Sequence, residues 1–273
     1  MVDALSNTHP RIQVLNDSDM RRQKRSSLNR LCDISDWHSS GLLMRYMHAM
    51  AEGPWIHRKS WEFGMCVLGL QKLGAVHPYA HALAVAAGHE RPFYYFTNHI
   101  ERMVATDLYD NPNHEGKAEI VEAPERFAPF AFRKDRLTVL RMNAMDLTFG
   151  DAEFDFAFCL SSIEHFGPRE NTRKAMREIE RVLKPGGIAC IATELILNQT
   201  SHAEYFSPEE FDENILNSTS MKLVGGDFDY RISDSLVRYP IDLLKDDLSV
   251  SPHIVLQSGE VIFTSAICFL QKP

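Results

Sequence analysis

The sequence predicts an α/β domain built on a mostly parallel sheet. Three observations carry that reading. From residue 81 onward, short apolar runs of strand length alternate with helical segments, the pattern of βα units. Five of those runs end on small or polar residues, the place where open parallel sheets bind ligands. After Thr193 the rhythm changes, and two strand-like runs at 221–230 and 260–270 follow, the last close to residue 273.

The elements follow in order. Residues 1–31 carry six basic residues (Arg11, Arg21, Arg22, Lys24, Arg25, Arg30) against Asp3, Asp17 and Asp19. They read as a loosely ordered, solvated basic arm, and the first domain boundary is placed at 35. Helical segments are expected over 36–52 and 57–73, together a cap preceding the sheet. In the second, Trp61, Met65, Leu68 and Leu73 recur at helical spacing, and Gly74 supplies a stop. Strands are expected at 81–86, 102–106, 137–142, 154–160 and 188–193. Between the fourth and fifth, Met176, Ile179, Val182 and Leu183 mark a helix over 170–183, ended by Lys184-Pro185-Gly186-Gly187. Ser207-Pro208 reads as a helix start. Residues 110–133 are too long for an ordinary connection and form either a lid-like insertion or a mobile loop. Residues 36–273 are read as one domain.

Composition removes several classes. The chain has 273 residues, 44% hydrophobic and 24% charged, so a packed core is available and wholesale disorder is excluded. A formal charge of −8 argues against a general nucleic-acid binder, which needs a net basic surface. No apolar run approaches the roughly 20 residues of a membrane helix, and no signal-peptide core is present. The five cysteines are an odd number with no CxxC, and three of them lie in strand-like runs. They read as reduced core thiols in a cytoplasmic protein, without disulfides or zinc. A homo-oligomer is compatible with the sequence.

The strand ends supply the candidate site. Ala86-Ala87-Gly88 follows the first strand, and Gly88 would let backbone approach a ligand closely. Asp107, nineteen residues later, is placed to accept hydrogen bonds from a ribose. Met145-Asp146 follows the third strand, Ser161 to His165 the fourth, and Glu194 the fifth.

From about residue 55 to 271 the chain resembles a class I S-adenosylmethionine-dependent methyltransferase. The segments FDFAFCLSSIEHFG (154–167) and AMREIERVLKPGGIACIATE (175–194) carry the resemblance. Within that class it resembles a bacterial subgroup often found with polysaccharide, glycosylation or natural-product enzymes. The subgroup features are the HRKxWE segment at 57–62, Gly88-His89-Glu90, ATDLY (105–109), TELILN (193–198) and FTSAICFLQK (263–272). The resemblance implies a Rossmann-like sheet of seven strands, six parallel and the last antiparallel, with helices on both faces and an N-terminal helical extension. The last strand should insert between the fifth and the 221–230 strand. It implies S-adenosylmethionine as cofactor, bound by a set that includes Leu108, with Ala86, Ala87 and Gly88 facing the methionine part, Asp107 at the ribose, and Asp146 at the adenine amino group. Met145 and Leu147 either sandwich the adenine or pack as ordinary loop residues. Ser161, Arg58 and Trp61 join the cofactor-binding set, with Trp61 either near the sulfonium or an anchor of its helix. The chain departs from the family at its first motif, where a glycine cluster is reduced to Gly88 and Ala84 replaces an acidic residue. Glu90 is the candidate to take that acid's place at the methionine amino group.

The resemblance implies methyl transfer to a small-molecule acceptor, a hydroxyl of a sugar or natural product. His165 is the candidate base, its ordinary pKa of about 6.5 suiting proton removal near neutrality, with Glu164 beside it. The alternative is a divalent-metal site of Glu164, His165 and His202, similar to that of ubiquinone-pathway and small-RNA 2′-O-methyltransferases. Ser161 stands where that pattern has a further carboxylate, so the metal-free reading is preferred. A nicotinamide-dependent oxidoreductase is disfavoured because no GxGxxG opens the first βα turn. A cofactor-binding scaffold without catalysis is the remaining alternative.

Overall fold

A computed structural model of the chain describes residues 4–109, 118–247, 249 and 251–273. Five parallel strands form the centre of the sheet: His81–Val85, Arg102–Asp107, Leu137–Arg141, Phe154–Leu160 and Leu183–Ile196. The Leu137 strand lies at one edge, then the Arg102, His81, Phe154 and Leu183 strands in turn. Residues 82–85 and 156–160 are all buried, which is why these strands read as continuous apolar runs rather than alternating ones. Val261–Gln271 runs antiparallel along the fifth strand, Phe263 opposite Ile196 through Gln271 opposite Ile188. Lys222–Leu223 pairs with its far side at Leu270 and Gln271. The last strand therefore sits between the fifth and sixth, as expected.

The sheet is wider than seven strands. Arg30–Leu31, Leu256–Ser258 and Ile241–Asp242 extend it to ten, the first two pairing directly with Val261–Gln271. The sixth strand is shorter than 221–230, because Gly225 and Gly226 take φ of +83° and +110° and turn the chain out of the ladder. Arg231–Ser233 then pairs with Gln13–Leu15 in a separate two-stranded sheet.

Within the arm expected over 1–35, the described residues 4–35 are tied to the domain by that pairing. Two of its cations, Arg25 and Arg30, are buried against acids outside it. Buried Arg25 contacts Asp36 at 3.3 Å and Asp229 at 3.1 Å, and Arg30 contacts Asp36 at 2.7 Å. Asn29 Oδ1 accepts the Phe269 N–H at 2.7 Å, and Asp33 accepts the Ser233 N–H at 2.7 Å. A boundary at residue 35 would cut this buried network, because Asp36 is its hub.

The cap helices are Ser35–Ser39, Gly41–Ala49 and Arg58–Lys72. The expected 36–52 helix is broken at Ser40, whose hydroxyl accepts the Leu43 N–H at 3.2 Å and starts the second piece. His57 caps Arg58–Lys72, its Nδ1 accepting the Lys59 N–H at 3.0 Å. That helix packs on the Val261–Gln271 strand. Gly69 lets it approach, since a Cβ there would lie 2.0 Å from the Phe269 ring. Arg169–Val182 ends where expected, and Gly186 at φ +80° accommodates the irregular pairing between the fourth and fifth strands. Of the 110–133 connection, 110–117 lies outside the described residues. Beyond it, Ile120 and Pro124 are buried, and Pro124 O accepts the Tyr94 hydroxyl at 2.9 Å. No helix among the described residues is long and apolar enough to cross a membrane.

Candidate active site

The carboxyl ends of the first four strands converge on a cavity of about 360 Å3, in the range of small-molecule sites. Of the residues singled out from sequence, Ala86, Asp107, Leu108, Met145 and His165 line it. Tyr109, Met142, Asn143, Ala144, Ser162 and Phe166 complete the lining.

The backbone at these strand ends is held by short polar contacts. Asp107 Oδ2 accepts the Gly88 N–H at 2.9 Å, and Oδ1 accepts the Tyr109 N–H at 3.3 Å. The Tyr109 hydroxyl donates to Gly88 O at 3.2 Å, and burial with nearby Asp107 pushes its phenol pKa up. Ser162 Oγ donates to Ala86 O at 2.9 Å. Ala86, Gly88, Tyr109 and Ser161 all have positive φ, between 48° and 52°. Asp107 thus braces the first turn and also lines the cavity. The apolar walls of Leu108, Met142 and Met145 suit a nucleoside-bearing ligand, whereas Gly88, expected at the ligand, does not line the cavity and is held by Asp107 Oδ2.

Several expected contacts are not at the cavity. Asp146 does not line it; Asn143 does, and its Oδ1 accepts the Met145 N–H at 3.0 Å. Ser162 lines it in place of Ser161, whose left-handed backbone turns the chain there. Ala87 is buried behind the turn, its N–H donating to Thr106 O at 2.9 Å. Trp61 is fully buried, its indole N–H donating to Asp36 at 2.8 Å, so it anchors its helix rather than meeting a sulfonium.

Arg58 and Glu90 belong to a buried charged cluster outside the cavity lining. Arg58 Nη1 contacts Glu194 at 2.5 Å, Ser265 Oγ at 3.0 Å and Glu62 at 3.3 Å. Lys59 Nζ contacts Glu90 at 2.9 Å, Glu62 at 3.1 Å and Leu160 O at 2.7 Å. Burial opposes the Lys59 charge, but Glu62 and Glu90 outweigh it and raise its pKa. Burial pushes Glu90 up to about 7 against the pull of Lys59. The cap's basic pair is therefore matched by the chain's own acids. This Lys59–Glu90 link, 31 residues apart in sequence, was the connection that sequence reasoning missed.

His165 is half exposed at the cavity wall, and its Nδ1 lies 3.2 Å from Glu204 Oε2. Glu164 is buried away from the cavity lining, accepting the Thr193 hydroxyl at 2.9 Å. Among the described residues, the alternative cluster of Glu164, His165 and His202 does not form. Nδ1 of His202 accepts the N–H groups of Glu204 and Tyr205, both at 3.2 Å, so that ring shapes a turn. In its place, Glu164, His165 and Glu194 bring one ligand atom each to within 4.8 Å of one another.

Comparison with known proteins agrees with this geometry. A family model described as a methyltransferase domain matches residues 83–191. An O-methyltransferase of Aspergillus sclerotiorum, resE, is 38% identical over 76 residues, 28% of this chain and 27% of that protein. Erythromycin 3''-O-methyltransferase of Saccharopolyspora erythraea is 29% identical over 196 residues, 63% of this chain and 60% of that protein. This chain thus spans less than two thirds of either relative's length. Among solved structures, the [4+2]-cyclase SpnF superposes with a TM-score of 0.53 at 18% identity, covering 91% of this chain and 99% of that one, a likeness of fold. The strand order and the strand-end cavity thus agree with the methyltransferase domain that residues 83–191 match.

Proposed function

We propose that this protein transfers a methyl group from S-adenosylmethionine to a hydroxyl of a small-molecule acceptor, a sugar or natural product. The observation that carries the reading is that His165 and Asp107 line the same cavity. The bound cofactor supplies an electrophilic methyl group on a sulfonium. Asp107 and the turn at Ala86 to Gly88 would hold its ribose and methionine parts, and Leu108 and Met145 its adenine. His165 would take the proton of the acceptor hydroxyl as the new O–C bond forms. The O-methyltransferase names of the two relatives support oxygen as the methylated atom. The acidic overall charge supports a small-molecule acceptor over nucleic acid. Five buried, unbridged cysteines fit a reducing compartment, and we place the protein in the cytoplasm.

A metal-assisted form of the same reaction is favoured by one observation. Glu164 Oε1 and Glu194 Oε2 are closed from solvent without a hydrogen-bond partner among the described residues, close to His165. The base reading is preferred because Arg58 already balances Glu194 and the Thr193 hydroxyl engages Glu164. The test measures label transfer from methyl-labelled S-adenosylmethionine to a panel of glycosides, free sugars and phenols. His165→Ala should cut turnover about 10²–10⁴-fold with S-adenosylhomocysteine affinity kept, and chelator should leave the wild type active. Activity lost to chelator and restored by Mg²⁺ or Mn²⁺ would favour the metal form. Cofactor binding without transfer to any acceptor would favour a scaffold.

A further inference from the structure

We propose that Glu204 is a positioning residue for His165, fixing its tautomer and ring so that Nε2 is the nitrogen left to accept a proton. The inference rests on the reading of His165 as base. Its geometric basis is the 3.2 Å contact between His165 Nδ1 and Glu204 Oε2. In a neutral imidazole one nitrogen donates and the other accepts, and the bond made by one nitrogen sets the role of the other. A carboxylate can only accept, so Glu204 selects Nδ1–H.

An exposed ion pair of this kind normally contributes little, because two mobile side chains must be held together. Here the backbone under Glu204 is already fixed from three sides. His202 Nδ1 accepts the Glu204 and Tyr205 N–H groups. Arg169 donates to Glu204 O and Tyr205 O, both at 2.6 Å, and its guanidinium lies 4.0 Å from the centre of the Phe206 ring. Phe206 N–H donates to Glu194 O at 3.1 Å, tying the turn to the end of the fifth strand. Tyr205 stacks on His202 at 4.1 Å and packs against Phe263 at 4.4 Å between ring centres. The turn therefore presents Glu204 at a set place over His165. His202, which the sequence offered as a metal ligand, acts by building that turn.

Long-range ¹H–¹⁵N spectra of the full chain with S-adenosylhomocysteine bound, at alkaline pH, read the tautomer without any acceptor. The His165 signals are assigned by their loss in His165→Gln. The wild type should show His165 protonated on Nδ1, and Glu204→Ala should convert it to the Nε2–H form. Glu204→Asp, retaining a carboxylate, should keep a measurable Nδ1–H fraction, and His202→Ala should lower that fraction by loosening the turn. S-adenosylhomocysteine affinity of Glu204→Ala should stay within about twofold of wild type, since nothing in the proposal connects Glu204 with the cofactor. The same tautomer in wild type and Glu204→Ala, or an Nε2–H ring in the wild type, would overturn the proposal. The spectra decide it even if no acceptor is ever turned over, so its failure is separable from failure of the methyl-transfer reading. With an acceptor in hand, Glu204→Ala should lower kcat about 10–100-fold with KM for the cofactor unchanged. A change in KM alone would overturn the positioning role.

Discussion

Replacing Asp107 with alanine tests the cofactor site most directly, because this carboxylate has two tasks that can be measured apart. It accepts the Gly88 N–H at 2.9 Å and the Tyr109 N–H at 3.3 Å, and it lines the cavity. Removing it leaves the half-buried Gly88 N–H without its acceptor, at a cost of about 1–3 kcal/mol. In a chain of this size that corresponds to a fall in Tm of roughly 2–4 °C per kcal/mol. The second loss is the charge-assisted hydrogen bonding offered to ribose hydroxyls, about 1.5–3 kcal/mol. At 1.4 kcal/mol per tenfold, the Kd for S-adenosylhomocysteine should rise about 10–100-fold. Calorimetric titration gives the second quantity and thermal unfolding of the ligand-free protein the first. Asp107→Asn separates them further, since its amide oxygen can still accept the Gly88 N–H while the charge is gone. If Tm falls in Asp107→Ala but the affinity of both variants stays within twofold of wild type, Asp107 is a brace of the turn and the ribose assignment is wrong.

Two further variants address the cap and the buried charges. Trp61→Phe removes the indole N–H that Asp36 accepts and should destabilise the protein by about 1–3 kcal/mol with S-adenosylhomocysteine affinity unchanged; a weakened affinity at equal stability would return Trp61 to the cofactor site. Glu90, raised to about 7, holds its proton more tightly folded than unfolded, so it disfavours the fold progressively as pH rises from about 4.5 to 7. Wild-type Tm should therefore contain a downward component across that window that Glu90→Gln lacks, and parallel pH profiles of the two would contradict the buried-acid account.

The order of the sheet was legible because strands buried on both faces write themselves as unbroken apolar runs, as FDFAFCL does at Phe154–Leu160. The Arg58–Lys72 helix was legible from its period and its Gly74 stop. Arg91–Thr97 was not, because its RPFYYFT sequence is buried from Pro92 through Thr97, leaving no polar face to mark a helical period. Nor was Arg30–Leu31, a two-residue strand whose arginine is buried only because Asp36 is placed beside it by the tertiary fold. Within the cavity, strand-end logic led to Ala86, Asp107, Met145 and His165, all of which line it, since it needs only strand order. Gly88, Asp146 and Ser161, which the same logic offered, do not line it, because one residue of slippage decides which way a group faces; Arg58, offered by the resemblance, is instead engaged by Glu194. His202 shows the same limit, as nothing local to it reveals that its Nδ1 is occupied by backbone N–H groups.

The loss of glycines from the first motif has a structural answer. Ala86 and Gly88 both occupy the left-handed region, at φ of 52° and 48°, yet only the second is glycine. A side chain in that conformation costs roughly 1–2 kcal/mol, so the turn at Ala86 must be over-determined by its surroundings. Three contacts do this: Ser162 Oγ holds Ala86 O, the Ala87 N–H reaches Thr106 O, and Asp107 holds the Gly88 N–H. Tyr109 and Ser161 carry the same strain at the ends of the second and fourth strands, with the Tyr109 hydroxyl returning to Gly88 O. The Lys59–Glu90 pair and the Lys59 contact with Leu160 O then join the cap helix to the first and fourth strand ends. A ligand entering this cavity meets a backbone whose ordering cost was met during folding. That is the condition under which a turn poor in glycine can still hold a cofactor, since little of the binding energy is then spent on fixing the loop.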